Sequence, residues 1–291
     1  MFLQQIINGL TQGSIYALIA IGFTLIFGVL GLVNFAHGEV YMVGAFLGFF
    51  LITGLKLSFL PALVLAMVGS AVIGILVELV AFKPLRKAPD VAPMVCTLGL
   101  SVVLQNVAML WWGSDTKALP ADSFEFQFFP FFNAQLSNAQ LLIFGISIIL
   151  MLALQFILYR SRIGKAIRAT AQNKDAASLM GVNINKVIAA TFALGSSLGG
   201  AAGVLIGMYY NAFYPTMGFI SGLKAFTATV FGGLTSIPGA VLGGLILGVV
   251  ENLSAAYISS GYRDMIAFII LILVLLIKPS GLFGRDLQGK V

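Results

Sequence analysis

Long apolar runs alternate with short polar links along nearly the whole chain. A helix that crosses a bilayer needs roughly 20 apolar residues. The chain offers about nine such runs, near 8–30, 36–54, 61–82, 93–112, 140–159, 187–209, 219–235, 238–257 and 264–278. The second opens on a polar cluster, and the seventh and eighth are separated only by Ser236, Ile237, Pro238 and Gly239. The count therefore ranges from eight to ten, falling if the second run is re-entrant or a later pair merges. The pattern predicts an all-α integral membrane protein, with residues 1–291 forming a single transmembrane domain and one polar loop at about 160–186. Before the first run there is no basic segment and after it no convincing cleavage site, so that run is expected to be a retained span.

Charge orients the runs. Lys83, Arg86 and Lys87 follow the third; Arg160, Arg162, Lys165, Arg168, Lys174 and Lys186 follow the fifth; Lys278, Arg285 and Lys290 follow the last. With alternating spans all three clusters fall on one side, which the positive-inside bias makes cytoplasmic. The link 113–139 holds Asp115, Asp122 and Glu125 against Lys117 and suits the outside. This puts the C-terminus in the cytoplasm. Nine spans put the N-terminus outside, and eight put it inside.

Composition agrees. The chain is 59% hydrophobic and 9% charged, where soluble domains carry about 25% charged residues, and its mean hydropathy is +1.04. The net charge of +6 comes largely from the cytoplasmic-type links, so it reports orientation and not nucleic-acid binding. Cys96 is the only cysteine, which excludes an intrachain disulfide.

Glycine organises the later spans. Gly195, Gly199, Gly203 and Gly207 recur every fourth position of the sixth, and Gly239 and Gly243 begin a similar series in the eighth. Such stripes let helix backbones approach closely in lipid, where packing drives association; pore lining is the other reading. Gly44–Gly48 also resembles Gly239–Gly243, a pointer to two related halves.

No HExxH, GxSxG or GxxxxGK[ST] pattern occurs, and one histidine with one cysteine makes no repeated metal site. The chain is expected to be no enzyme and to hold no metal. If ATP drives it, another subunit hydrolyses that ATP.

The polar positions inside apolar runs are candidates for a translocation path, because such residues face cavities or partners. Asn34, His37 and Glu39 precede the second span. They form either a cytoplasmic turn at the headgroups or a helix break whose free N–H groups meet an anion. Gln105 with Asn106, and Glu251 with Asn252, are either interhelical hydrogen bonds or path lining. Glu78 belongs at the cytoplasmic interface beside Lys83. Trp111, Trp112, Tyr209 and Tyr210 suit an interfacial belt.

Within the basic loop, Ile163, Ala166, Ile167, Thr170 and Ala171 mark one face of a helix from about Arg162 to Ala171. Asn173 can cap a second turn, Lys174–Met180, with Asp175 in its first turn and Gly181 as its stop. This knob either lies on anionic lipid or docks a soluble partner.

The segments NGLTQGSIYALIAIGFTLIFGVLGLVNFAHGEVYMVGA, GLSVVLQN, GKAIRATAQNKDAASLMGVN, GLKAFTATVFGGLTSIPGAVLGGLILGVVEN and LLILVLLIKPSGLFG resemble the LivH family of ABC-transporter permeases for branched-chain amino acids. The resemblance covers nearly the whole chain, although permeases for urea, short amides and other amino acids share much of the pattern. It implies a type II ABC importer fold in a bacterial-type inner membrane. It also implies a second homologous permease, expected as a heterodimer, two ATPase subunits carrying ATP and Mg, and an extracytoplasmic binding protein. No cofactor is expected on this chain itself. The resemblance makes Arg162, Gly164, Lys165, Arg168, Ala171, Asp175, Leu179 and Gly181 the region that fits an ATPase groove. The rivals are an ion-coupled secondary transporter, for which Glu39 and Glu251 would carry the ion, and a passive channel for small neutral solutes.

Overall fold

A computed structural model describes residues 1–120, 127–278 and 280–284. Asp122, Glu125, Arg285 and Lys290, used above to orient the spans, lie outside the described residues. The chain is mostly helical: α1 (Phe2–Leu30), α2 (His37–Thr53), α3 (Phe59–Val77, continued by a π-turn over Glu78–Phe82), α4 (Val91–Trp112), α5 (Asn138–Arg160), α6 (Arg162–Gln172), α7 (Lys174–Leu179), α8 (Ile184–Tyr210), α9 (Met217–Gly232), α10 (Ile237–Tyr257) and α11 (Arg263–Ile277). The all-α expectation misses one antiparallel hairpin, β1 (Phe128–Phe131) and β2 (Ala134–Ser137).

Helices are the economical answer to lipid, because they satisfy their own backbone groups, and local signals fix their ends. Ser137 and Gln140 form a capping box on α5. Ser236 accepts from the Gly239 N–H at the start of α10, next to Pro238. Among the described residues seven helical segments are long and apolar enough to span a membrane, counting the short 3₁₀ turn before α11 with that helix. The helices of the second and seventh runs are shorter: α2 has 17 residues and α9 has 16.

The described basic clusters share one end of the bundle. Arg86 reaches Asn185 at the start of α8, and Lys174 Nζ donates to the Leu30 carbonyl at 3.1 Å. Leu282 and Phe283 donate to the last carbonyls of α9 at 2.9 and 3.0 Å. The first turn of α1 lies at the opposite end, where Gln4 bonds Gln135 in both directions at 3.1 and 2.8 Å.

Two segments repeat the same plan. Helices α1 and α8 each end on a left-handed residue, Gly31 and Asn211. After each, a short link leads into a short helix, α2 or α9. Gly31 and Asn211, like His37 and Met217, stand 180 positions apart. The first turns of α2 and α9 touch, with the Gly38 carbonyl only 2.6 Å from where a methyl on Gly218 would sit. The internal relationship therefore joins α2 to α9, and not to α10 as the Gly44–Gly48 and Gly239–Gly243 likeness implied. Element order and caps carry it, with little sequence identity.

Helix α1 occupies the centre, packed by α10, α8 and α9. Its seam with α10 is backbone on backbone: a methyl on Gly9 would fall 2.6 Å from the Val249 Cα, and one on Gly13 2.8 Å from the Leu245 Cα. Gly195 faces the Gly22 carbonyl, Gly203 the Tyr41 carbonyl, and Gly207 the Phe213 ring; Gly199 only reaches ordinary contact with His37. Gly239 and Gly243 face Gly232 and Ala228. Helices α3, α4, α5 and α11 turn aliphatic side chains outward.

Candidate functional site

Four charged side chains meet inside this bundle, on the half away from the basic end. Lys224, in the middle of α9, lies 2.6 Å from Glu251 on α10 and 2.6 Å from Asp264 on the first turn of α11. Arg263 Nε lies 2.8 Å from the same Glu251 carboxylate. Gln12 of α1 ties the group together. Its amide donates to the Tyr16 hydroxyl at 2.6 Å and to Glu251 at 3.4 Å. Its carbonyl accepts from Tyr210 at 3.1 Å, Asn252 at 3.0 Å and Arg263. Two cations and two anions balance, which is how charge is kept at membrane depth. Lys224 and Glu251 are buried, whereas Arg263 and Asp264 are 29% and 55% exposed in their side chains.

Gln12, Tyr16, Tyr210, Lys224, Arg263 and Asp264 border a cavity of about 520 Å³, with Glu251 and Asn252 behind them. Its other walls are Tyr41, Tyr214 and Ser221 with the apolar Ile206, Met217 and Ile220. It can offer both charge signs and an aliphatic surface to one small solute.

A second buried cluster surrounds α2. His37 and Glu39 are fully withdrawn from solvent, with His37 beside Gly22 and Gly199, deep along α1 and α8. The link 31–36 thus folds back into the bundle, which removes the reading of a turn at the headgroups. Nor is the start of α2 open to an anion. The N–H groups of Phe35, Ala36 and His37 donate to Thr97 (3.2 Å), the Asn34 side chain (3.1 Å) and the Asn34 carbonyl (3.2 Å). Glu39 accepts from Ser101 at 3.0 Å and Gln105 at 2.8 Å on α4, with no salt bridge among the described residues.

At the basic end, α6 and α7 form a folded knob. Asn173 accepts from the Ala176 N–H at 3.0 Å, and Gly181 takes a left-handed φ of 83°. Gly164 is buried where α5 turns into α6, against the Ile157 and Leu158 backbone. Arg162, Lys165, Arg168, Ala171, Asp175 and Gly181 are exposed, and Leu179 is 89% exposed. Gly164, Ile167 and Thr170 make the buried face of α6. Ile163, expected there, is 46% exposed.

The seven polar candidates therefore separate. Asn34, His37, Glu39 and Gln105 gather around α2. Glu251 and Asn252 belong to the charged cluster beside the cavity, bonded to its lining residues Lys224, Arg263 and Gln12. Asn106 bonds its own helix at the Val102 carbonyl and faces outward. Glu78 pairs with Arg86, consistent with its place near the basic end. Sequence reading missed Gln12, Tyr16, Lys224, Arg263 and Asp264. A lysine in the middle of an apolar run was the available signal.

Residues 5–275 match the family described as branched-chain amino acid transport system / permease component. The branched-chain amino acid permease BraD of Pseudomonas aeruginosa is 44% identical over 301 residues, covering 100% of this chain and 98% of that one. LivH of Escherichia coli K12 is 44% identical over 302 residues with the same coverage. Among solved structures, PsaBC from Streptococcus pneumoniae in complex with Fab aligns with a TM-score of 0.51 and 14% identity, over 96% of this chain and 93% of that one. At that identity it supports the fold alone.

Proposed function

The chain belongs to the branched-chain amino acid transport system permease family, and from that premise we propose that it is the membrane subunit of an ATP-driven importer of branched-chain or related amino acids. It is a multi-pass protein of the inner membrane with a cytoplasmic C-terminus, and it catalyses no reaction itself. It forms the path with a second, homologous permease in a type II importer architecture. Two ATPase subunits, holding ATP and Mg, dock on the cytoplasmic end, and an extracytoplasmic binding protein delivers substrate at the other.

The observation that carries the coupled reading is the knob. Its polar and apolar tips, Arg162, Lys165, Asp175 and Leu179, point away from the bundle, while its base is locked to the spans. Gly164 presses on α5, and Lys174 closes the end of α1. A lipid-lying strip needs neither lock. Helix α1 then runs unbroken from Leu30 to Gln12, a rise of about 27 Å at 1.5 Å per residue, so displacement of the knob reaches the charged cavity through one rigid element.

Reconstitution with the ATPases tests this. Lys165→Glu and Leu179→Asp leave the fold intact, yet should abolish ATP-dependent uptake and weaken ATPase retention. Gly164 is a poorer probe, because any side chain there disturbs the α5–α6 corner. Normal uptake in both exposed variants would remove the coupling role.

A further inference from the structure

The charged cavity contains more chemistry than a structural ion pair requires. Lys224 and Glu251 alone would neutralise each other at 2.6 Å. The next helix nevertheless begins with a second cation and a second anion, Arg263 and Asp264, adjacent in sequence and turned to opposite members of that pair. Both remain partly exposed and line a cavity whose lining also includes the apolar Ile206, Met217 and Ile220. A neutral amide or urea can hydrogen-bond both groups but brings no full charge to pair with either.

We infer that this cavity is a receiving site for the zwitterionic head of an α-amino acid, with Asp264 taking the ammonium group and Arg263 the carboxylate. The inference rests on the importer reading and deepens it, by assigning a substrate class to this subunit's own residues. Lys224 and Glu251 act behind them as positioning residues, each holding one member of the outer pair by charge. A carboxylate joins the donors of a guanidinium that is already oriented by Glu251 and Gln12. An ammonium shares Asp264 with Lys224, using the carboxylate's spare lone pairs. Ile206, Met217 and Ile220 face the side chain, so a branched aliphatic group is accepted over a charged one.

The test uses the assembled transporter with Cys96→Ser and a reporter cysteine at Ser221, in the cavity wall. Labelling by a small methanethiosulfonate should proceed and be slowed by L-leucine. It should not be slowed by leucinol, which lacks the carboxylate, or by 4-methylpentanoate, which lacks the amine. Asp264→Asn and Arg263→Gln should each weaken protection by about tenfold, the scale of one charge-assisted hydrogen bond. Protection by leucinol equal to that by leucine, absence of protection, or no labelling at all would overturn the assignment. If leucine uptake is intact in that case, only this site is wrong; if uptake is also absent, the importer reading fails with it.

Discussion

Lys224 on α9 and Glu251 on α10 lie 2.6 Å apart with side chains 7% and 0% exposed, so neither charge has water to fall back on. Removing one partner leaves the other with a single, partly exposed counter-ion, Arg263 for Glu251 and Asp264 for Lys224. Glu251→Gln or Lys224→Met should therefore destabilise the permease, by less than the roughly 3–5 kcal/mol of a fully stranded buried charge. The Lys224→Met/Glu251→Leu double variant should recover part of that loss, because the charges it leaves, Arg263 and Asp264, are opposite in sign and partly exposed. Thermal aggregation of the detergent-purified chain reads both effects. Equal melting of all variants would show the pair to be solvated.

Glu39 is the contrasting case. Among the described residues it accepts from Ser101 and Gln105 and pairs with no cation, so Glu39→Gln exchanges one hydrogen-bonding group for another. The expected loss is roughly 0.6–2 kcal/mol, the range of interhelical hydrogen bonds in membranes. The same melting assay should rank it well below Glu251→Gln; a larger loss at Glu39 would mean that its unbonded oxygen holds an unseen partner.

The seam between α1 and α10 should tolerate no side chain. Gly13→Val or Gly248→Val forces two backbones apart, at a cost of about 1–3 kcal/mol or more for an overpacked contact. Gly28→Ala, Gly99→Ala and Gly145→Ala meet open space and should be neutral. Monodisperse yield on size exclusion separates the two groups, and equal yields would contradict the seam.

Lys174→Ala removes the donor to the last carbonyl of α1. The site is exposed, so stability should change by less than about 0.5 kcal/mol. If α1 transmits knob movement, transport per ATP hydrolysed should fall while ATPase activity persists. An unchanged transport-to-ATP ratio would deny this contact a role in coupling.

Much of this was legible in the sequence, and for identifiable reasons. Hydropathy located the seven span-length helical segments among the described residues and the shorter α2 and α9, and caps such as Asn173 and Gly181 placed the knob within a residue or two. What hydropathy does not carry is depth. It marked His37 and Glu39 as polar near a span boundary, but the fold-back that buries them depends on Thr97 and Gln105, more than 60 positions away. The buried face of α6 was misread at Ile163 because apolar periodicity has no term for Gly164, whose contact is backbone alone. Lys224 went unassigned because its partners, Glu251 and Asp264, lie on two other helices, and only packing brings them together. The α2–α9 relationship is written in caps and helix lengths, which a search for matching residues passes over.

Leucine accumulation in proteoliposomes holding the complete complex, with ATP enclosed on the ATPase side and ion gradients dissipated, tests the importer role most directly. The expected result is accumulation that requires ATP and the binding protein and survives loss of every ion gradient. Accumulation that follows an ion gradient without ATP, or ATP-independent flux through this chain alone, would contradict it.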